Sequence, residues 1–323
     1  MKNKLLSLAS LLAVFSANAV EIGPTGSGVE MSGFIDIAFT DQTDTAQETV
    51  IGQVEINFDY STGPVSASVG LDFGGNNAPD PADDGNSNLE QAYVTYDLGG
   101  GFSITAGRML TYMGFEAYDP TDMYQYSYAY DMGNTETQSI YDAYDVGVSV
   151  DYATDAYSIG VWASAENSAG YELALAYTGI ENFTAKAIWS DFSDQGGSPA
   201  YTKNTYWVSY QLGSLLLAAE IAEADRKDAG PDPLNSDPDK DGFLIMGNYA
   251  FTDSIALTLR YSVEETSDWN SDALTSDIGK FTISPSYVFT DNLSGLVEFS
   301  TYDEDVAAGE IEDLLAVELI YTF

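Results

Sequence analysis

Val54, Ile56, Phe58 and Tyr60 alternate with Glu55, Asn57 and Asp59, and the same period of two recurs from one end of the chain to the other. Successive side chains of an extended backbone point to opposite faces, so each such segment has one apolar face and one strongly polar face. Val146, Val148, Val150 and Tyr152 repeat the pattern against Gly147, Ser149 and Asp151, and Ile255, Leu257, Leu259 and Tyr261 against Ala256, Thr258, Arg260 and Ser262. About sixteen segments of roughly ten residues can be traced, the length at which a tilted strand crosses a bilayer. They fall near 29–40, 50–61, 64–73, 89–98, 101–110, 142–153, 157–166, 170–178, 182–191, 202–212, 214–224, 242–252, 254–264, 278–290, 292–302 and 313–323. Beyond the N-terminal run, no stretch has the roughly 18 uninterrupted apolar residues of a spanning helix.

The connections between segments alternate too. Every second one is a tight turn: Ser61-Thr62-Gly63-Pro64, Gly99-Gly100, Thr154-Asp155, Gly179-Ile180-Glu181, Gly213, Thr252-Asp253 and Thr290-Asp291. The others are mostly longer and rich in Asp, Asn, Gly and Pro, as in NNAPDPADDGNSN or RKDAGPDPLNSDPDKDG. Short turns on one side and long loops on the other describe an all-β, transmembrane antiparallel barrel with short periplasmic turns, long external loops and both termini periplasmic. Tyr60, Tyr96, Phe102, Tyr152, Tyr157, Tyr177, Phe183, Tyr210, Phe251 and Phe289 share the apolar parity and lie beside the short turns, where an interfacial aromatic girdle belongs. A soluble β-sandwich also alternates, but has no reason to gather aromatics beside every second connection.

The N-terminus, MKNKLLSLASLLAVFSANA, places Lys2 and Lys4 before an apolar run that ends at Ala17-Asn18-Ala19. This is the layout of a cleavable secretory signal over residues 1–19, leaving a single barrel at 20–323. From Val20 onward eight basic residues face 51 acidic ones, a formal charge of −43. Nucleic acid is excluded as a partner, since phosphate binding requires a basic surface. The acidity fits either a saline habitat or a preference for cations. The chain has no Cys and no His, which removes disulfides, thiolate chemistry, the commonest general base and the usual partner of a catalytic serine. No enzyme and no cofactor are expected, although carboxylate-only catalysis stays open.

The final segment, LLAVELIYTF, carries Leu315, Val317, Leu319 and Tyr321 on one parity and ends on Phe323. It resembles the terminal strand of Gram-negative outer-membrane proteins, which the barrel assembly machinery reads. ITAGRMLTYMGFEAYDPTDMYQYSYAY, with Gly107, Arg108, Gly114, Phe115, Glu116, Asp119, Pro120, Tyr126 and Ser127, is similar to a run in the OmpL-like β-barrel porin family. The resemblance implies a channel surrounded by outer-membrane lipid and lipopolysaccharide.

About sixteen strands leave an aqueous lumen, whereas about eight are filled by their own side chains. Passive diffusion of small hydrophilic solutes and ions is therefore the leading expectation. A sugar-selective channel with a Tyr-rich slide, or a non-channel surface barrel, is the alternative, and a homotrimer is expected by analogy of fold alone. Parity turns Asp36, Glu55, Asp59, Asp72, Asp97, Asp151, Glu172, Glu220, Glu298 and Glu318 inward, with Lys186, Lys203, Arg260 and Lys280 forming a basic arc on one wall. Arg108 is an exception, matching the apolar parity, so either a bulge turns it inward or it lies at the loop rim. The longest connection, 111–141, is the third on the long-loop side. Porins of this strand number fold that loop into the lumen, and by resemblance the same is expected here, an external loop lying over the mouth being the alternative. Tyr124, Tyr126, Tyr128 and Tyr130 would then pack on the inner wall, and Glu116, Asp119, Asp122 and Asp131 would set the charge of the constriction. Asp237, Asp239, Asp241 and Gly242 match the first half of a calcium loop, but its twelfth position is Asn248 rather than a bidentate Glu, so a solvated acidic loop is the better reading.

Overall fold

The computed structural model describes residues 19–23, 26–42, 48–73, 89–116, 118–130, 140–141, 143–165, 170–192, 200–227, 238–268, 271, 273–306 and 311–323. Most of the leader, Asp131 and Asp237 lie outside the described residues. Alternation has become strand throughout: β1 (Val20–Glu21), β2 (Val29–Gln42), β3 (Glu48–Thr62), β4 (Val65–Asp72), β5 (Leu89–Gly99), β6 (Phe102–Leu110), β7 (Tyr144–Ala153), β8 (Tyr157–Ser164), β9 (Gly170–Tyr177), β10 (Phe183–Phe192), β11 (Tyr201–Leu212), β12 (Leu215–Arg226), β13 (Asp239–Ala250), β14 (Ile255–Asp268), β15 (Ala273–Thr290), β16 (Leu293–Val306) and β17 (Leu314–Thr322). Among the described residues one 3-10 turn, Pro120–Asp122, interrupts the strands.

Each strand from β2 to β17 pairs antiparallel with the next, and β17 pairs back onto β2, so sixteen strands close into a barrel. Closure leaves no row of unpaired backbone groups, each of which would cost several kcal/mol in hydrocarbon. β1 is the extra strand. It pairs with Glu30 and Met31 of β2, on the same edge that β17 occupies from Phe34 onward. Between the two, Gly33 and Phe323 exchange a pair of backbone hydrogen bonds at 3.0 Å each.

The predicted parity sets the faces. On β12, Ile221 is 52% exposed on the outer surface while its neighbour Glu220 is buried at 1%. Aromatics beside the tight turns, among them Tyr96, Phe102, Phe251 and Phe289, stand exposed on that outer surface. The tight turns gather at one end of the barrel. The connections after β2, β4, β6, β8, β10, β12, β14 and β16 gather at the other.

Strand ends differ from expectation where the sequence is polar on both faces. β14 runs to Asp268 and β15 begins at Ala273, so most of the loop expected between 264 and 278 is ladder, with a register shift between Thr266 and Ser267. Beyond the bilayer water solvates either face, so pairing continues without an apolar side. Likewise Asp239 and Asp241 belong to β13, with the Asp239 carboxylate accepting from Arg226 N at 2.7 Å. An extended ladder does not turn its carboxylates onto one ion as a D-x-D-x-D-G calcium loop does. Arg108 keeps its outward parity, because the register from β6 to β7 runs without a shift through it. Its Nε donates to Glu90 O at 2.9 Å near the long-loop rim.

The seam between β17 and β2 gives a test. A Cβ at Gly33 would lie 2.2 Å from Glu55 O and 2.8 Å from the Phe323 ring. Gly33→Val is expected to destabilise the folded barrel by about 2 kcal/mol through overpacking, read as a lower urea midpoint for the heat-modifiable band. An unchanged midpoint would show that the seam tolerates the extra volume.

Candidate functional site

The connection from Leu110 to Tyr144 turns inward along the wall. Tyr112 N donates to Glu172 Oε2 at 3.0 Å and Tyr112 OH to Asp151 Oδ1 at 2.7 Å. Gly114 N reaches Thr205 Oγ1 at 3.4 Å, Phe115 N reaches Glu220 Oε1 at 3.0 Å, and Tyr141 OH donates to the other oxygen of Glu220. These wall carboxylates accept from loop amides and hydroxyls that would otherwise be stranded away from water. Apolar packing supports the same path. Tyr112 and Met113 join Met109, Trp162, Ile188, Phe192 and Trp207 in one cluster. Tyr130 and Ile140 join Ala218, Ala222, Leu244 and Met246 in a second.

The tyrosine run sits the opposite way round from the sequence expectation. Its interleaved residues meet the wall: Gln125 and Ala129 are buried, whereas Tyr124 and Tyr128 are 37% and 46% exposed and Tyr126 is half-buried. Of the four rings only Tyr130 is buried, edge-on to Tyr141 with centroids 5.5 Å apart. The wall itself explains this. Where the run lands, the barrel presents Arg260, Lys280 and Glu298, charges that require hydrogen-bonding partners and would be left unsatisfied by tyrosine faces.

Most of that hydrogen-bonding demand is met by the loop, Arg260 Nε alone of the guanidinium nitrogens staying without a partner. Arg260 Nη1 pairs with Glu116 Oε1 at 2.5 Å and donates to Ser127 O at 2.7 Å, while Nη2 donates to Tyr128 O at 3.1 Å. Gln125 Nε2 and Ala129 N donate to the two oxygens of Glu116 at 2.8 and 2.7 Å. Ser127 N donates to Glu298 Oε2 at 2.9 Å, and its hydroxyl also bonds Glu298. Lys280 Nζ donates to Tyr128 O at 3.1 Å and to Ser127 Oγ, and lies over the Tyr302 ring. Glu116, expected at the pore surface, is thus a buried anchor.

The basic arc is correspondingly engaged. Lys186 lies 5.3 Å over the Trp207 ring, and Lys203, Arg260 and Lys280 are each at most 2% exposed. Among the acidic set, Glu55, Glu172, Glu220 and Glu298 are buried on the inner wall, and Asp59 and Asp72 are half-buried. Asp97 departs from the lumen set: it is exposed at the turn end, and its Oδ1 accepts from Gly99 N at 2.7 Å, capping the β5–β6 turn.

On the facing wall the loop brings Asp119 to Glu55 and Glu90, with one oxygen from each lying within 4.8 Å of the others. No other group of three such ligands is so close among the described residues. Asp72 Oδ1, Glu90 Oε2 and Asp119 Oδ1 are buried there without a hydrogen-bond partner. By parity Glu90 should face outward. A register shift in the β4–β5 ladder, where Gly70 pairs Gln91 and Leu71 pairs Leu89, leaves it unpaired and turned in. Burial first, then the charges of Glu55 and Asp122, push the Asp119 carboxyl up to about 8. Asp122 is also raised, by burial.

A family model described as "Putative beta-barrel porin-2, OmpL-like" matches residues 28–323. No curated protein matches the sequence. Among solved structures, the outer membrane channel DcaP of Acinetobacter baumannii is similar at 11% identity and a TM-score of 0.65, covering 94% of this chain and 100% of that one. The anion-selective porin from Comamonas acidovorans gives 13%, 0.65, 91% and 99%. OmpT of Vibrio cholerae in its trimer form gives 16%, 0.63, 91% and 99%.

Two outcomes follow from the loop contacts. Arg260→Met leaves the Glu116 carboxylate buried without its cation, a loss of about 3–5 kcal/mol for a broken buried pair. Hydrogen exchange at the Ser127 and Ala129 amides should therefore rise sharply, and retained protection would contradict the anchoring role. The raised Asp119 carboxyl works in the other sense. Docking of the loop against Glu55, Asp72, Glu90 and Tyr144, with Asp122 alongside, favours the protonated acid, so it is strongest below the ordinary value of 3.8 and weakens as pH rises towards about 8. Exchange around Asp119 should accelerate across that window in the wild type and depend on pH less steeply in Asp119→Asn, where Glu55, Asp72 and Glu90 remain.

Proposed function

The chain belongs to the OmpL-like β-barrel porin family and is an outer-membrane channel; from that premise we propose passive diffusion of small hydrophilic solutes through a constriction set by the loop between Leu110 and Tyr144. The observation that carries this reading is the loop's attachment to lumen-facing wall residues on β7, β9, β11, β12, β14, β15 and β16. A segment held at so many points narrows the passage as a fixed element. Tyr124, Tyr128 and Asp122 keep exposed surface on it and are the groups a solute would meet.

The tight turns and the termini are assigned to the periplasmic side and the long connections to the exterior, by the usual asymmetry of such barrels. Residues 1–19 would be removed on export, and three copies would assemble side by side, as supported by the trimer form of the Vibrio cholerae relative. A channel rather than an enzyme is also favoured by the absence of His and Cys.

One observation favours a narrower reading. The exposed rings of Tyr124 and Tyr128 offer apolar faces on which sugar rings stack, so block by oligosaccharides separates a sugar channel from a general one. The central test is deletion of residues 118–130 from the purified barrel in planar bilayers. Single-channel conductance is expected to rise and size exclusion to loosen while the heat-modifiable band persists. Unchanged conductance in a folded barrel would sink the constriction.

A further inference from the structure

The sign of the charge that a permeating ion meets is legible in how the loop is seated. From Val20 to Ala185, and again from Phe281 to the C-terminus, the one basic residue is Arg108, and it faces outward. The wall running from β16 through β17 and β2 to β9 therefore presents Asp36, Glu55, Asp59, Asp72, Asp151, Glu172, Glu298 and Glu318 to the interior with no inward cation among the described residues. The remaining inward cations lie on β10 to β15, and the loop covers the central ones. Arg260 is taken by Glu116 and by the Ser127 and Tyr128 carbonyls, and Lys280 by Ser127 and Tyr128. Lys240 pairs with Glu264 at 3.4 Å. The loop thus occupies Arg260 and Lys280, the central cations of the basic arc, while the acidic wall has no inward cation of its own.

Two of the uncompensated acids stand out by their local state. Asp36 and Glu318, on the closing strands β2 and β17, are 3% and 2% exposed and are diagonal neighbours across the ladder, where Ile320 pairs with Asp36 and Glu318 with Ala38. Asp36 Oδ1 and Glu318 Oε2 are nevertheless buried with no partner, a costly arrangement unless something supplies one. Asp36 is held there by local geometry. The β2–β3 ladder shifts register between Ile35 and Ile37, and the carboxylate occupies the place of a side chain at Gly52, where a Cβ would lie 2.0 Å from Oδ2. Tyr126 of the loop stands within electrostatic reach of Asp36, Glu318 and Glu298, which places the pair at the level of the constriction.

We propose that the channel selects cations, and that the Asp36–Glu318 pair is a selectivity determinant, acting through acidic charge that no inward cation on that wall offsets. This deepens the channel reading above and rests on it. A cleft lined by one sign of charge raises the local counter-ion concentration by about tenfold or more. The permeability ratio of K⁺ over Cl⁻ for the wild type is therefore expected at roughly 10 in dilute salt and should fall towards 1 near 1 M, where screening shortens to about 3 Å.

The experiment is the reversal potential of the purified full barrel in planar bilayers under a KCl gradient, for the wild type and for Asp36→Asn/Glu318→Gln together. Both are changed so that no carboxylate remains at the pair. The double variant, checked for its heat-modifiable band, should keep conducting and lose at least half of the reversal potential. Absence of conductance steps in the wild type would count against the channel reading itself. Conductance with a reversal potential at zero, or of anion sign, overturns cation selectivity. Cation selectivity unchanged in the folded double variant overturns the role of this pair.

Discussion

A backbone crossing hydrocarbon must find every hydrogen-bond partner within the protein, and in this chain that requirement is met at one seam. Sixteen strands satisfy one another in sequence, and the last gap closes only when β17 lies against β2. Everything else in the molecule presupposes that closure. It fixes which parity faces lipid, it creates an interior, and it sets the diameter within which the long connection must fit. The apolar face needs no core of its own, because lipid takes that place.

The interior poses the converse problem. A polar wall in a narrow lumen is only partly wet, and the carboxylates and cations on it need partners that the sheet, its backbone already paired, cannot give. The loop between β6 and β7 supplies them from its own backbone: amides of Tyr112, Phe115 and Ser127 meet carboxylates, and carbonyls of Ser127 and Tyr128 meet Arg260 and Lys280. Loop and wall are therefore complementary in a way neither would be alone. Fixing a long irregular segment inside a lumen carries a large entropic cost, and the density of charge-assisted hydrogen bonds is what opposes it.

Parity made most of the barrel legible. Strand number, the outer aromatics and the inward direction of Glu55, Glu220, Arg260 and Lys280 all follow from a period of two. What parity could not carry is anything set by a break in the ladder or by the shape of the opposing surface. Glu90 turns inward because a register shift lies beside it, and no residue type marks that shift. The orientation of the tyrosine run depended on which of its two faces matched the wall. The run by itself favours burial of the rings, whereas opposite Arg260, Lys280 and Glu298 it is Gln125 and Ala129 that are buried and Ser127 that bonds the wall. Asp97 shows the same limit at the turn end, where a cap claims a carboxylate that alternation assigns to the lumen.

The two residues of β1 acquire a role from where they sit. They hold the stretch of the β2 edge immediately beyond the last pair made by β17, so a β17 that slid along β2 in that direction would collide with them. Sliding by one residue would also turn Glu318 towards lipid and Val317 into the lumen, since a period of two inverts both faces at each step. A short N-terminal strand at this position works as a mechanical stop for the closing strand, and it lets a barrel with no covalent cross-link lock its final pairing in a single register.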